Sequence, residues 1–439
     1  MRLKAPDRAT QWSVGLALVG AAAWLIVQPH TADMAAQTFR AEYFADHGFQ
    51  TWNPQWYGGH HLLPYSVLSP VAGGLLGVWL AGAIAAVLAA WALARAASSA
   101  TDGRHEAIVA SILLSLGALA ALWSGRTTYL MGIAAAAACL ACLMRGRQWY
   151  WWAPLAILTA LVSPVSALFL ALCAFARLDR DGVTTAVLAL LPVAVISVVW
   201  GDGGWQPYSW KAFVPVAVAC AVAILLTPSN RRTVRVAVGL YLLLNIGAFL
   251  IHAPIGSNAA RLGQLAAGAL AAVVLLNTRP RVFMALLPFA LVWQWAAPVI
   301  DNDRAATDRS TNAAFYAPLV QKLETLGRPP GRVEVVWTRG HWEAAEVART
   351  FPIARGWERQ LDNARNSSVN GDNISPAAYR KWLDGLSVRW VALPNNVPID
   401  SAALGEAKLV REGQPWLREV WKSPDWTLYR VVPARLLNS

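Results

Sequence analysis

The chain has 439 residues, 56% of them apolar and 14% charged, with a net charge of +12 and a mean hydropathy of +0.40. A soluble chain carries about 25% charged residues, so a wholly water-soluble protein is excluded. The positive charge invites a nucleic-acid reading, but the cations sit in short turns between apolar runs, so no nucleic-acid partner is expected.

Residues 1–300 are long apolar runs; residues 301–439 read as an ordinary water-exposed domain with 19 basic and 16 acidic residues. A hydrocarbon core takes about 20 apolar residues per helix. Eleven spans are expected, over 11–28, 70–95, 105–124, 128–144, 149–162, 164–178, 183–200, 210–227, 234–252, 262–277 and 281–299. Trp12–Val27 lacks a small-x-small cleavage site, so it reads as the first span and not as a signal peptide. The run 63–98 exceeds one span. Its Gly- and Pro-rich start, V-L-S-P-V-A-G-G-L-L-G, is expected to form an interfacial or re-entrant helix. Pro164 divides two half-length runs at a tight turn; one kinked helix over 149–178 would reverse every later turn.

With eleven spans, Arg2, Lys4, Arg8, Arg95, Arg104, Arg145, Arg147, Arg177, Arg180, Arg231, Arg232, Arg235, Arg279 and Arg281 share one side. Only Arg40, Arg126, Lys211 and Arg261 fall on the other. The positive-inside bias then puts the N-terminus in the cytoplasm and residues 301–439 outside the plasma (inner) membrane. Cys139, Cys142, Cys173 and Cys220 all lie in apolar runs. Cys139-L-A-Cys142 sits mid-helix without a second pair or a nearby histidine, so these read as small core residues.

The tail opens with a polar connector, 301–312, and an amphipathic helix around 313–326. Gly327-R-P-P-Gly331 breaks that helix. Strands are expected at Arg332–Trp337, Val388–Leu393 and Trp426–Val432, and helices at Trp342–Thr350 and Ser375–Leu386, with Ser375 as N-cap and Pro376 in the first turn. The fold class is therefore a polytopic α-helical membrane domain, 1–300, with a large first outer loop at 29–69, followed by a soluble α/β domain, 301–439.

That first loop is the one polar island in the apolar half. Asp33 follows the first span closely. Ala36, Phe39, Tyr43 and Phe44 then recur at helical spacing, with Arg40, Glu42 and Asp46 elsewhere, as in a helix lying in the headgroup layer. Trp52-N-P-Q-W-Y-G-G-H-His61 comes next. Its aromatic residues suit a membrane interface or a sugar face, and its two glycines allow close backbone approach to a ligand. A plain interfacial belt with an acid capping a helix would need the same residues.

The loop D33-M-A-A-Q-T-F-R-A-E42…G48-F-Q-T-W-N-P-Q-W-Y-G-G-H-H61 and the tail R339-G-H-W-E-A-A345…A354-R-G-W-E-R-Q-L-D362 resemble those of actinobacterial integral membrane proteins. More broadly, an acid early in the first outer loop, an interfacial helix, many short spans and an outer C-terminal domain resemble the GT-C superfamily of membrane glycosyltransferases. The resemblance implies a polyprenyl-phosphate-linked sugar donor, a cell-envelope glycan or lipid acceptor, and the bilayer as partner. It implies that Asp33 is the catalytic base, deprotonating an acceptor hydroxyl in a single inverting displacement.

The remaining candidates follow from what that chemistry needs. A phosphate leaving group needs cations, for which Arg261 and Arg126 stand ready; snorkelling to lipid phosphates would use them equally. His60 and His61 are candidates for the leaving phosphate or a divalent metal, although adjacent side chains on extended backbone point apart and disfavour a two-histidine chelate. No cofactor is otherwise called for. Arg40, Glu42, Trp56 and Tyr57 complete the loop's substrate wall, and His341 and Arg355 are candidates for an acceptor surface on the tail, where a salt-bridged domain surface is the alternative. Asp202, in W-G-D-G-G-W, reads as a turn residue. A lipid or glycan transporter is the rival from another class, and a non-catalytic envelope-assembly partner a third. Spans nearly free of charge favour interfacial chemistry over transport.

Overall fold

The computed structural model describes residues 7–101, 103–326 and 331–433. Arg2 and Lys4 of the expected inner turns, and the expected break at 327–330, lie outside the described residues. In chain order the helices are α1 (Arg8–Val27), α2 (Ala32–His47), α3 (Ser69–Leu76), α4 (Val78–Ala100), α5 (Arg104–Trp123), α6 (Thr127–Met144), α7 (Trp149–Val162), α8 (Pro164–Phe175) and α9 (Arg180–Trp200). There follow α10 (Trp210–Leu226), α11 (Arg232–Leu250), α12 (Arg261–Leu275), α13 (Pro280–Thr307), α14 (Ala313–Thr325), α15 (Glu343–Glu346), α16 (Arg359–Arg365), α17 (Pro376–Gly385) and α18 (Leu404–Arg411). Contacts divide the chain into two compact units, 1–28, 63–201 and 206–300 in one, and 29–62, 202–205 and 301–439 in the other. Most of the first loop, which sequence assigns to the membrane half, thus belongs with the tail.

The first unit is built from apolar helices at each of the eleven expected positions. Eight helical stretches among the described residues are long and apolar enough to cross a membrane, α12 only together with the 3-10 turn that precedes it, while α7, α8 and α10 are shorter, at 14, 12 and 17 residues. At 1.5 Å per residue α7 reaches only about 21 Å. The break at Pro164 is real: Ser163 caps α8, its hydroxyl accepting from Ser166 N at 3.3 Å, so 149–178 is two helices. α3 is likewise a separate short helix, parted from α4 by Gly77 at φ +78. One core joins α4, α5, α12 and α13 through Ala97, Leu113, Ala272, Leu275 and Phe283. A second joins α6 to α9 through Ala136, Trp152, Ala160, Leu170 and Ala189. Neither lipid nor water drives these helices together, so close packing of small residues does that work. A Cβ on Gly132 would lie 2.6 Å from Ser163 and Ser166. Outward faces keep large apolar side chains bare, among them Val198, Leu225 and Phe289.

The second unit carries a four-stranded sheet, β3 (Arg332–Val335), β4 (Val388–Pro394), β5 (Leu417–Lys422) and β6 (Trp426–Val431), after a two-stranded ladder, β1 (Trp52–Asn53) and β2 (His60–His61), in the loop. The order is β3-β4-β6-β5, with β3 and β4 parallel and the other pairs antiparallel. Three of the four strands match the sequence expectation. β5 was not anticipated, because Leu417-R-E-V-W-Lys422 is an edge strand with little apolar alternation. Val336, Trp337, Tyr379, Leu383, Val391, Leu393, Val410 and Val431 form the core. Ser375 occupies the N-cap of α17 without making a side-chain cap bond.

Candidate functional site

Within the second unit, α2 is set by its own pattern. Thr31 ends the extended entry, Asp33 lies in the first turn, where an acid complements the helix dipole, and Gly48 closes the helix. The face carrying Phe39 and Arg40 is buried. Phe39 stacks on Trp56 at 4.3 Å, and Arg40 Nη2 meets Glu358 Oε2 at 2.6 Å. The headgroup-layer expectation for Phe39 is therefore corrected: this side chain packs on protein.

The W-Y-G-G-H-H stretch is threaded into the tail in the same way. Trp56 is fully buried, donates Nε1 to Ala344 O at 3.0 Å, and lies flat on Gly356, where a Cβ would come within 2.3 Å of its ring. Tyr57 takes a left-handed backbone, φ 56; its hydroxyl donates to Glu358 O at 3.2 Å and accepts from Glu358 N at 2.9 Å. The glycines read as an approach to ligand are used by the chain itself. A Cβ on Gly59 would meet Trp52 at 2.2 Å, and Gly59 O accepts from Arg365 Nη1 at 2.6 Å.

His60 and His61 sit opposite Asn53 and Trp52 in the small ladder and point apart, as expected. His61 donates its backbone N–H to Asp202 Oδ2 at 2.5 Å, and Asp202 Oδ1 meets Arg365 Nη2 at 2.8 Å. Asp202 is therefore a junction between loop and tail rather than a plain turn residue. His60 is wholly buried, stacked on Trp56 at 5.7 Å, and neither ring nitrogen has a hydrogen-bond partner among the described residues. Burial first, and then the Arg40 and Arg365 charges, push it down to about 3. No group of three or more His, Cys, Asp or Glu among the described residues is arranged to hold a metal.

Two tail candidates need correction. Arg355 and His341 are each only 1% exposed, so neither lies on an acceptor surface. Arg355 forks onto Asp362 at 3.0 and 3.1 Å, reaches Glu406 at 3.1 Å and Asn370 at 2.6 Å, and stacks over Trp337 at 3.8 Å. His341 stacks on Trp357 at 3.5 Å and meets Asp400 Oδ2 at 3.3 Å. Burial would lower its pKa, but the bond to Asp400 and the nearby Glu343 carboxylate outweigh that and raise it. Glu42 pairs with Arg349 at the domain's rim.

The two histidines therefore pull opposite ways with pH. His60 is held neutral in the fold but protonates below about 6.5 when unfolded, so its contribution is lost as pH falls from 6.5 toward 3. At pH 5 that amounts to roughly 2 kcal/mol at 1.36 kcal/mol per unit. His341 has its folded value raised, so its contribution is full below about 6.5 and is lost as pH rises through the folded value. Denaturant titration from pH 5 to 8 is expected to show His60→Phe removing the acid-side decline and His341→Gln removing the alkaline-side one. Parallel profiles for the wild type and both variants would contradict this.

In the first unit, Arg126 and Arg261 come to one neighbourhood. Arg126, the N-cap of α6, reaches Gln264 Oε1 on α12 at 3.5 Å. Arg261 opens α12 after a 3-10 turn at Gly256–Ala260, and its guanidinium lies 5.6 Å over Tyr129 of α6. Tyr241 fixes that start, its hydroxyl donating to Ala259 O at 2.8 Å and accepting from Gly263 N at 2.9 Å. Sequence reasoning did not single out Glu358, Arg365 or Arg349. Their partners lie far along the chain, 318 residues for Arg40 and Glu358, 307 for Glu42 and Arg349 and 163 for Asp202 and Arg365, and no local pattern marks such pairs.

Long apolar helices and a separate α/β unit define a multi-pass helical membrane protein. Its fold is similar to the cryo-EM structure of the arabinofuranosyltransferase AftD from Mycobacteria, at 16% identity and a TM-score of 0.48, over 98% of this chain and 40% of that one. It is similar also to the crystal structure of ArnT from Cupriavidus metallidurans in the apo state, at 13% identity and a TM-score of 0.46, over 97% and 98% of the two chains. This chain thus spans well under half the length of AftD. No protein-family model matches the sequence, and no curated protein does.

Proposed function

We propose that the protein is a GT-C-type glycosyltransferase that takes a sugar from a polyprenyl-phosphate donor and passes it to an envelope glycan or lipid at the outer face. The observation that carries this reading is Asp33 in the first turn of α2, a helix pinned by the Arg40–Glu358 pair and by Phe39 on Trp56. A general base must be held in place by rigid elements, and α2 is one. Asp33 takes the proton of an acceptor hydroxyl as that oxygen attacks the anomeric carbon. The bond from that carbon to phosphate breaks, and the lipid phosphate departs with the electron pair. Its charge needs cations, and in the membrane unit Arg126 and Arg261 are the proposed holders of the lipid phosphate. Arg40, Trp56, Tyr57 and His60 shape and stiffen the base's surroundings; as buried groups they act through positioning.

The test uses membranes containing the full chain and a labelled polyprenyl-phospho-sugar. Asp33→Asn is expected to lower transfer by about 10²–10⁴-fold, with the protein still inserted and folded. Unchanged transfer would remove Asp33 from the chemistry. Arg261→Ala is expected to raise the KM for the lipid donor more than it lowers kcat; an unchanged KM would leave Arg261 a lipid anchor.

A further inference from the structure

At one end of the α10–α11 hairpin the turn Thr227-P-S-N-R-R-T-V-Arg235 borders an open groove of about 430 Å³ lined by Ile224, Ser229, Arg232, Arg235 and Val236, its three polar residues exposed. Three arginines, Arg231, Arg232 and Arg235, fall within five residues, and none of them forms an ion pair with an acid among the described residues. Arg231 is the N-cap of α11, with no side-chain cap bond, and the first turn holds no acid. This is the reverse of what a helix N-terminus favours, since its dipole repels cations and attracts anions. Arg232 and Arg235 lie three residues apart and so share a helix face. The buried Thr227 hydroxyl at the same turn has no partner among the described residues. Ile224 and Val236 make the remainder of the wall apolar, and Leu225 beside it is 80% exposed on the outward face of the helix.

We propose that this groove is a binding site for the phosphodiester headgroup of an anionic bilayer lipid. Arg232 and Arg235 hold the phosphate, Ser229 donates to it, and the first acyl carbons lie against Ile224 and Val236. Basic pockets between membrane helices bind such headgroups by this combination of charge and apolar wall. An anion here also relieves the mutual repulsion of three cations at a positive helix end. A soluble phosphate would use the arginines but leave the apolar wall without a partner. The site is independent of the sugar-transfer reading, and its test reads lipid rather than transfer.

The full chain is placed in phosphatidylcholine nanodiscs containing a minority of phosphatidylglycerol, then released and weighed by native mass spectrometry. One phosphatidylglycerol is expected to stay bound, enriched at least about tenfold over the bulk lipid. Arg232→Gln with Arg235→Gln is expected to abolish that enrichment, and Ser229→Trp, which fills the groove without changing charge, to reduce it. The control pair Arg279→Gln with Arg281→Gln, equally exposed and equal in charge removed, is expected to keep it. Equal loss in both double variants would overturn the proposal in favour of diffuse surface charge. Equal retention of phosphatidylcholine, or displacement of the lipid by millimolar inorganic phosphate, would overturn it as well.

Discussion

Arg355→Met is expected to lower the stability of the α/β unit by about 3–5 kcal/mol, the usual cost of leaving buried charges without their partner. The side chain is fully buried and engages Asp362, Glu406 and Asn370 through its forked donors. Burial alone would lower its pKa, but Asp362, Glu406 and Glu334 raise it, so it stays charged. Without it, Asp362 and Glu406 face each other in the core with Tyr379 donating to Glu406 at 2.7 Å. Burial, and then the neighbouring Glu406, already push Glu334 well up, so the cluster has no room for a further uncompensated carboxylate. Arg355→Lys is expected to restore less than half the loss, because a point charge cannot fork onto Asp362 while reaching Glu406. Denaturant titration in detergent, followed by tryptophan fluorescence, measures both. A loss below about 1 kcal/mol for the methionine variant would mean that the carboxylates find water or protons at little cost.

Trp56→Ala is expected to cost about 3–5 kcal/mol, as for a fully buried large aromatic side chain. Its effect should differ in place from that of Arg355→Met. Trp56 belongs to the loop, and its contacts are Phe39 on α2, His60 in the ladder, Arg40 at 5.1 Å from its ring centroid and Gly356 in the tail. Removing it opens a cavity where 29–62 meets 301–439 within the second unit. Hydrogen exchange should therefore rise first along α2 and at 52–61, with β4 and β6 still protected. Exchange rising uniformly over the sheet would show instead that loop and tail unfold as one. The complementary change, Gly356→Ala, places a methyl 2.3 Å from the Trp56 ring and is expected to disturb the same stretch by about 1–3 kcal/mol.

Much of the membrane unit was legible in the residues. Apolar length is a local property, so helices appear at all the expected positions, and Ser163–Pro164 and Gly77 end helices by their own backbone and capping chemistry. The spans are uneven in length, since α7 and α8, at 14 and 12 residues, are apolar enough to read as spans yet fall below the usual 17 or more. In the tail, core strands with alternating or continuous apolar residues were readable, and the polar edge strand β5 was not. Asp33, Arg126 and Arg261 sit where local signals put them, at helix starts.

What the residues alone determined is therefore the set of apolar helices in the first unit and the polar character of the first loop, while the short tail helices α16 and α18 carried no such signal. The tertiary structure decided what that loop is joined to. Tryptophan, glycine and histidine in a row suit a ligand wall, a membrane belt or a domain core equally well. The choice among these depends on Gly356, Glu358, Arg365 and Asp202, which lie far along the chain and carry no mark of their partners. In the same way, burial turned Arg355 and His341 from surface candidates into core charges, because only packing fixes how far a charged side chain is from water.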